Sequence, residues 1–258
     1  MGWFSPKCPV DAEAKEWLDN AFGWLVEEFG IEILRESEVV LPTEEYFPDV
    51  FDGSRTAIRN MVDRVCGYMD FDPKLVAVDY YENDDVTRLH ALAGSGETRS
   101  HAVGMYQMRP DGKYGISLDT SQVSEPQMLV ATIAHELGHV ILLGEDRLDT
   151  DYPDHEPMTD LVTVFYGLGV FNANSSFVFE QWTNSQYQGW RAGGSGYLSE
   201  EMYGYALALF AYLRGESKPV WAGYLNTNVK SYLKSALKYL TENENPEFSK
   251  YLKTSTPT

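Results

Sequence analysis

The sequence predicts an α+β protein, with a small, mostly antiparallel sheet in the middle of the chain and helices on both sides of it. Three observations predict this. Apolar residues recur at helical spacing near both ends. Three short runs rich in β-branched and aromatic residues lie between Leu75 and Leu118. The last two of these runs flank Pro110-Asp111-Gly112-Lys113, a turn signal that joins them as a hairpin.

Each element follows from its residues. Residues 10–30 form a first helix with Trp17, Leu18, Phe22, Leu25, Val26 and Phe29 on one side and Gly30 as its stop. Leu41 to Phe51 carries Pro42, Pro48 and several acids and reads as a loop. Residues 54–69 form a second helix, capped by Ser54, with Ile58, Met61, Val62 and Val65 inward. The strands are Leu75 to Tyr81, His101 to Met108 and Tyr114 to Leu118. Helices follow over 125–143, 157–169, 199–213 and 219–241. Phe171 to Leu198 is polar and Gly-rich, studded with Phe177, Phe179, Trp182, Tyr187 and Trp190. It reads as a long loop, either covering the core or lining a substrate site. An N-terminal helical region over 1–72 and a second region over 73–258 are expected, with any boundary near Phe71-Asp72-Pro73, or the whole chain as one domain.

The bulk numbers narrow the partners. The chain has 258 residues, 43% of them hydrophobic and 14% aromatic, which is enough for a sizeable core. A formal net charge of −19 repels phosphate backbones and anionic membranes, so neither nucleic acid nor a membrane is an expected partner. Cys8 and Cys66 lack a paired spacing and read as structural thiols in a reduced setting. The opening MGWFSPKCPVD lacks a charged region followed by an apolar run, and no uninterrupted apolar stretch approaches the roughly 18 residues of a membrane span. A cytoplasmic protein is expected.

The chemistry concentrates in Ala134 to His139, AHELGH. Ser124 with Gln127 suggests a capping box, and Pro126 suits the first turn. Leu129, Val130, Ile133, Leu137, Val140 and Ile141 continue the helix. His135 and His139 are four apart, so they stack on one face and can reach one ion together. Glu136 sits one position round and can approach a water on that ion without ligating it. A catalytic zinc takes three protein ligands and leaves one position open. The next helix opens with His155-Glu156-Pro157-Met158-Thr159-Asp160, where Glu156 and Asp160 share a face.

H-E-x-x-H followed by E-x-x-x-D resembles the thermolysin-like (gluzincin) metallopeptidases, over roughly residues 100–170. The resemblance implies a zincin-like core with a motif-bearing helix and a second ligand-bearing helix. It implies one catalytic Zn²⁺ held by His135, His139 and Glu156, with Glu136 as general base and Asp160 orienting His135. It also implies a peptide or protein substrate laid along the edge of the strand hairpin. Asp160 or His155 are alternatives to Glu156 as third ligand, and Glu145 is another in a variant site. The metzincin pattern needs glycine and histidine where this chain has Leu142 and Glu145, so it fails. The family usually stabilises the oxyanion with a late histidine or tyrosine. All five histidines lie at or before His155. A tyrosine is therefore expected in that role, Tyr203 with Tyr197 and Tyr205 as alternatives, or else Arg191.

The expected function is a zinc-dependent hydrolase of peptide or amide bonds. Two other readings stand beside it: a non-catalytic binding or regulatory protein on the same scaffold, and a closed structural zinc site. The acidic run Glu145 to Asp151 lacks the ligand order of a calcium loop and reads as a solvated linker. His90 and His101 read as surface residues, and Tyr205, Leu209 and Tyr212 as core.

Overall fold

A computed structural model describes residues 7–81, 107–149, 151–183, 198–243 and 245–252. In chain order the helices are α1 (Ala12–Phe29), α2 (Ile31–Glu36), α3 (Arg55–Tyr68), α4 (Pro126–His139), α5 (His155–Phe165), α6 (Gly169–Thr183), α7 (Glu200–Leu213), α8 (Thr227–Glu242) and α9 (Pro246–Leu252). The strands are β1 (Val76–Tyr81), β2 (Gln107–Met108) and β3 (Tyr114–Asp119). The chain divides into two compact units. An inserted unit covers 42–150, and a terminal unit is made of 1–41 and 151–258. Phe71, Asp72 and Pro73 lie within the inserted unit.

In the inserted unit, Ser54 caps α3 as its sequence predicts, its hydroxyl accepting from the Ala57 N–H at 3.2 Å. Arg59 of α3 donates to the carbonyls of Pro73 (2.6 Å) and Val76 (2.7 Å), which anchors the start of β1 on that helix. β1 then pairs with β3 in parallel, from Val76 opposite Tyr114 to Tyr81 opposite Asp119. Among the described residues, β2 pairs with β3 in the antiparallel sense at Gln107 opposite Gly115 and Met108 opposite Tyr114. The mostly antiparallel sheet expected from the sequence is therefore corrected, because the longer pairing is parallel. The turn of the β2–β3 hairpin has local signals: Gly112 at φ 77, and the Asp111 carboxylate accepting from the Lys113 N–H. A parallel pair needs a long crossover instead, and its partners leave no local mark on one another. Of the strand expected over His101 to Met108, residues 101–106 lie outside the described residues.

Pro126 opens α4 as expected, and Glu125 stands at its N-cap without a capping bond from its own side chain. Ser124 ends a 3-10 turn, Thr120–Ser124, that leads out of β3, one residue before the N-cap of α4. Every residue of α4 from Leu129 to His139 is buried. The helix runs on into a π-turn, Val140–Gly144, whose last carbonyl accepts from the Tyr114 hydroxyl at 3.1 Å. Pro126–Gly144 is long and apolar enough to cross a membrane, but 83% of it is buried inside the protein, as in the core helix of a folded domain.

In the terminal unit, the Asp11 carboxylate caps α1 by accepting from the Ala14 N–H at 2.8 Å, and Gly30 at φ 95 ends the helix. Leu18, Phe22 and Leu25 are fully buried, each worth roughly 1.5–3 kcal/mol of apolar burial. The Phe22 ring meets Phe165 of α5, and α7 lies buried along almost its whole length. Arg214, just after α7, donates to the carbonyls of Leu34, Arg35 and Ser37, which satisfies the C-terminal end of α2. The helix expected over 157–169 breaks into α5 and α6 at Gly167. That residue has φ 80, and a Cβ there would lie 2.0 Å from the Glu38 carbonyl oxygen.

Two further expectations are corrected here. The long loop expected from Phe171 to Leu198 begins instead as helix α6, through Thr183. Residues 184–197, with Tyr187, Trp190, Arg191 and Tyr197, lie outside the described residues. The composition misleads because Asn172, Ser175 and Ser176 are buried, and tertiary burial overrides their weak helix propensity. The Ser176 hydroxyl donates back to the Ala173 carbonyl at 2.8 Å, so it is satisfied inside the helix. The helix expected over 219–241 is split into a 3-10 turn, Val220–Tyr224, and α8. Asn174 holds the break open, donating to the Tyr224 carbonyl (2.9 Å) and accepting from the Asn226 N–H (2.8 Å).

Candidate metal centre

The site begins with the spacing of α4. His135 and His139 are one helical turn apart, and their rings stand edge to face with centroids 4.7 Å apart. Their Nε2 atoms are 3.1 Å apart. Two nitrogens bound at 2.0–2.1 Å to one tetrahedral ion are separated by roughly 3.3 Å, so the pair is nearly spaced for a shared ion. His135 is 5% exposed, His139 3% and Glu136 1%, so desolvated imidazoles and a desolvated carboxylate occur side by side.

The third expected ligand, Glu156, stands in the first turn of α5, in the terminal unit. Within the inserted unit the two imidazoles by themselves supply two ligand atoms of the type a divalent zinc-like ion takes. His155, an alternative ligand, places Nδ1 3.7 Å from Glu156 Oε1. Glu145, the other alternative, pairs with Arg147 at 3.0 Å.

The remaining expected residues are placed as follows. Asp160 is 1% exposed, and its carboxylate accepts from the Leu198 N–H at 2.9 Å. Tyr203 is 2% exposed on α7. Tyr205 donates its hydroxyl to the Asp19 carboxylate at 2.9 Å, and its titration is pushed up by burial and by that neighbouring charge, so this tyrosine ties α7 to α1. His90 and His101 lie outside the described residues.

Tyr81, at the end of β1, carries no sequence signal that marks it. Burial pushes its phenol up to about 12, and the charges of Asp119 and Glu136 add to the effect. Its carbonyl accepts from the Thr120 hydroxyl at 3.2 Å. The charge of Glu136 thus bears on this phenol, a relation between distant residues that their order does not show.

Compared with the models of known protein families, with curated proteins and with solved structures, the chain matches none.

Proposed function

We propose that the protein is a zinc-dependent hydrolase of peptide or amide bonds. The observation that carries this reading is the pair of buried imidazoles, His135 and His139, with Nε2 atoms 3.1 Å apart and the buried Glu136 beside them on the same helix. His135, His139 and Glu156 would hold the ion. When bound, that ion would polarise a scissile carbonyl and acidify a water. Glu136 takes the proton of the attacking water on its carboxylate and returns it to the leaving nitrogen. Its burial keeps that carboxylate weakly solvated, so its basicity is directed at the water rather than spent on bulk solvent.

A second reading, a non-catalytic binding protein on the same metal centre, is favoured by one observation. No histidine follows His155, and Tyr205 is committed to Asp19, so the oxyanion group is not assigned. One experiment separates the two. Zinc-loaded protein is incubated with a broad peptide library, with and without chelator. Hydrolysis that chelator removes is expected. Glu136→Gln should retain the metal and lose about 10²–10⁴-fold in rate. Unchanged turnover in that variant rules out the mechanism, and no turnover in the wild-type protein leaves the binding reading.

A further inference from the structure

A second feature with ligand-binding geometry lies wholly within the terminal unit. A groove of about 510 Å³ is lined by the 3-10 turn Val220–Tyr224 and by α8, a volume in the range of small-ligand and peptide side-chain sites. Its apolar surface comes from Leu233 and Leu237 and from Val220, which is 92% exposed. Lys230, Lys234 and Lys238 line it at successive turns of α8, and Lys218 joins them. Lys238 pairs with Glu242 at 3.8 Å. Among the described residues, Lys218, Lys230 and Lys234 have no acidic partner. The chain as a whole holds 39 acidic residues against 20 lysines and arginines. A concave apolar site ringed by unpaired lysines is therefore a local reversal of sign, and such a site concentrates anions.

We propose that this groove binds an acidic, extended peptide segment carrying one apolar side chain. The spacing supports a peptide. Lysines four apart on a helix repeat about every 6 Å along its axis. Carboxylates on one side of an extended chain repeat at about 6.6 Å, two residues of strand rise, so successive acids meet successive lysines. The side chain pointing the other way faces the opposite wall of the groove, where Val220 is exposed. A single fatty-acid carboxylate would neutralise one lysine and leave the row unmatched. A flat anionic membrane is repelled by the net charge of −19 and does not follow a concave surface. The inference does not rest on the metal centre.

The test is fluorescence anisotropy with a labelled, end-blocked peptide of glutamates alternating around a central leucine, in the presence of chelator so that hydrolysis plays no part. Saturable binding that weakens with added salt is expected. The Lys230→Glu/Lys234→Glu double variant should bind at least about tenfold more weakly, and a peptide with serine for leucine several-fold more weakly. Thermal unfolding checks that the double variant is folded. Should it not be, the single exposed-site variant Lys234→Gln replaces it, with a several-fold loss expected. Equal binding by wild-type and folded variant protein overturns the proposal. So does lysine-dependent binding to phosphatidylserine vesicles without binding of the peptide.

Discussion

Each unit is built around one helix buried on nearly all sides, α4 in the inserted unit and α7 in the terminal unit, and the two put their polar groups to different use. On α7 the Tyr205 hydroxyl ends on the Asp19 carboxylate, a bond that closes within the scaffold and ties one helix to another. On α4 the Nε2 atoms of His135 and His139 face one another 3.1 Å apart. The first arrangement is complete without a ligand, whereas the second has the spacing of a site for an ion. Burial of a polar group therefore does not by itself mark a functional site. Donor atoms brought together at the spacing of a single ion are the better sign.

The largest effect that would sharpen this contrast is expected on α4. His139→Ala should abolish stoichiometric metal retention after dialysis, measured by elemental analysis, because two ligands hold a divalent ion far less tightly than three. Retention unchanged would place the ion elsewhere and remove the distinction between the helices. Next comes the packing of α7. A Cβ on Gly204 would stand 2.3 Å from the Tyr232 Cβ of α8. Gly204→Ala should therefore destabilise by about 1–3 kcal/mol through overpacking, read by denaturant unfolding, with the metal content unaltered. Tyr205→Phe should cost about 1–2 kcal/mol, since it leaves the buried Asp19 without the Tyr205 hydroxyl, and it should leave hydrolysis intact. Lost activity at full stability in that variant would show that the terminal helix also does chemistry.

The smallest expected effect concerns pH. Burial pushes the Cys66 thiol of α3 from its ordinary 9.0 up to about 12. Below pH 9 the folded and unfolded chains both hold this proton, and stability does not depend on it. Between about pH 9 and 12 the unfolded thiol ionises while the folded one keeps its proton, so folding weakens as pH rises, by at most about 1.4 kcal/mol per unit. Cys66→Ala should show a shallower loss than wild type when unfolding is measured at pH 8 and pH 10. Equal slopes would show that this thiol is not shielded.

Much of this was readable one segment at a time. Gly30 ends α1 and Ser54 caps α3, as expected, because capping is a contact between near neighbours in the chain. The i, i+4 spacing of His135 and His139 likewise sets their shared face. What misled was chemistry answered from far away. Asn172 and Ser175 read as loop residues until burial in α6 outweighed propensity. Asn174 breaks the helix expected over 219–241 from a position fifty residues earlier in the chain. The residue before α4 also differs: Ser124 belongs to a 3-10 turn leaving β3, and the N-cap is Glu125.

The order of residues by itself determined the helix periodicity, the turn at Gly112 and the pairing of two imidazoles on one face, since all of these are set within a few residues by backbone geometry. Tertiary structure alone decided that β1 lies parallel to β3, that Tyr81 is a shielded phenol near Glu136, and that Tyr205 is a strut rather than a reactive group. Those outcomes depend on which distant groups remove water from a side chain and which charges they bring with them, and no local pattern of residues encodes that.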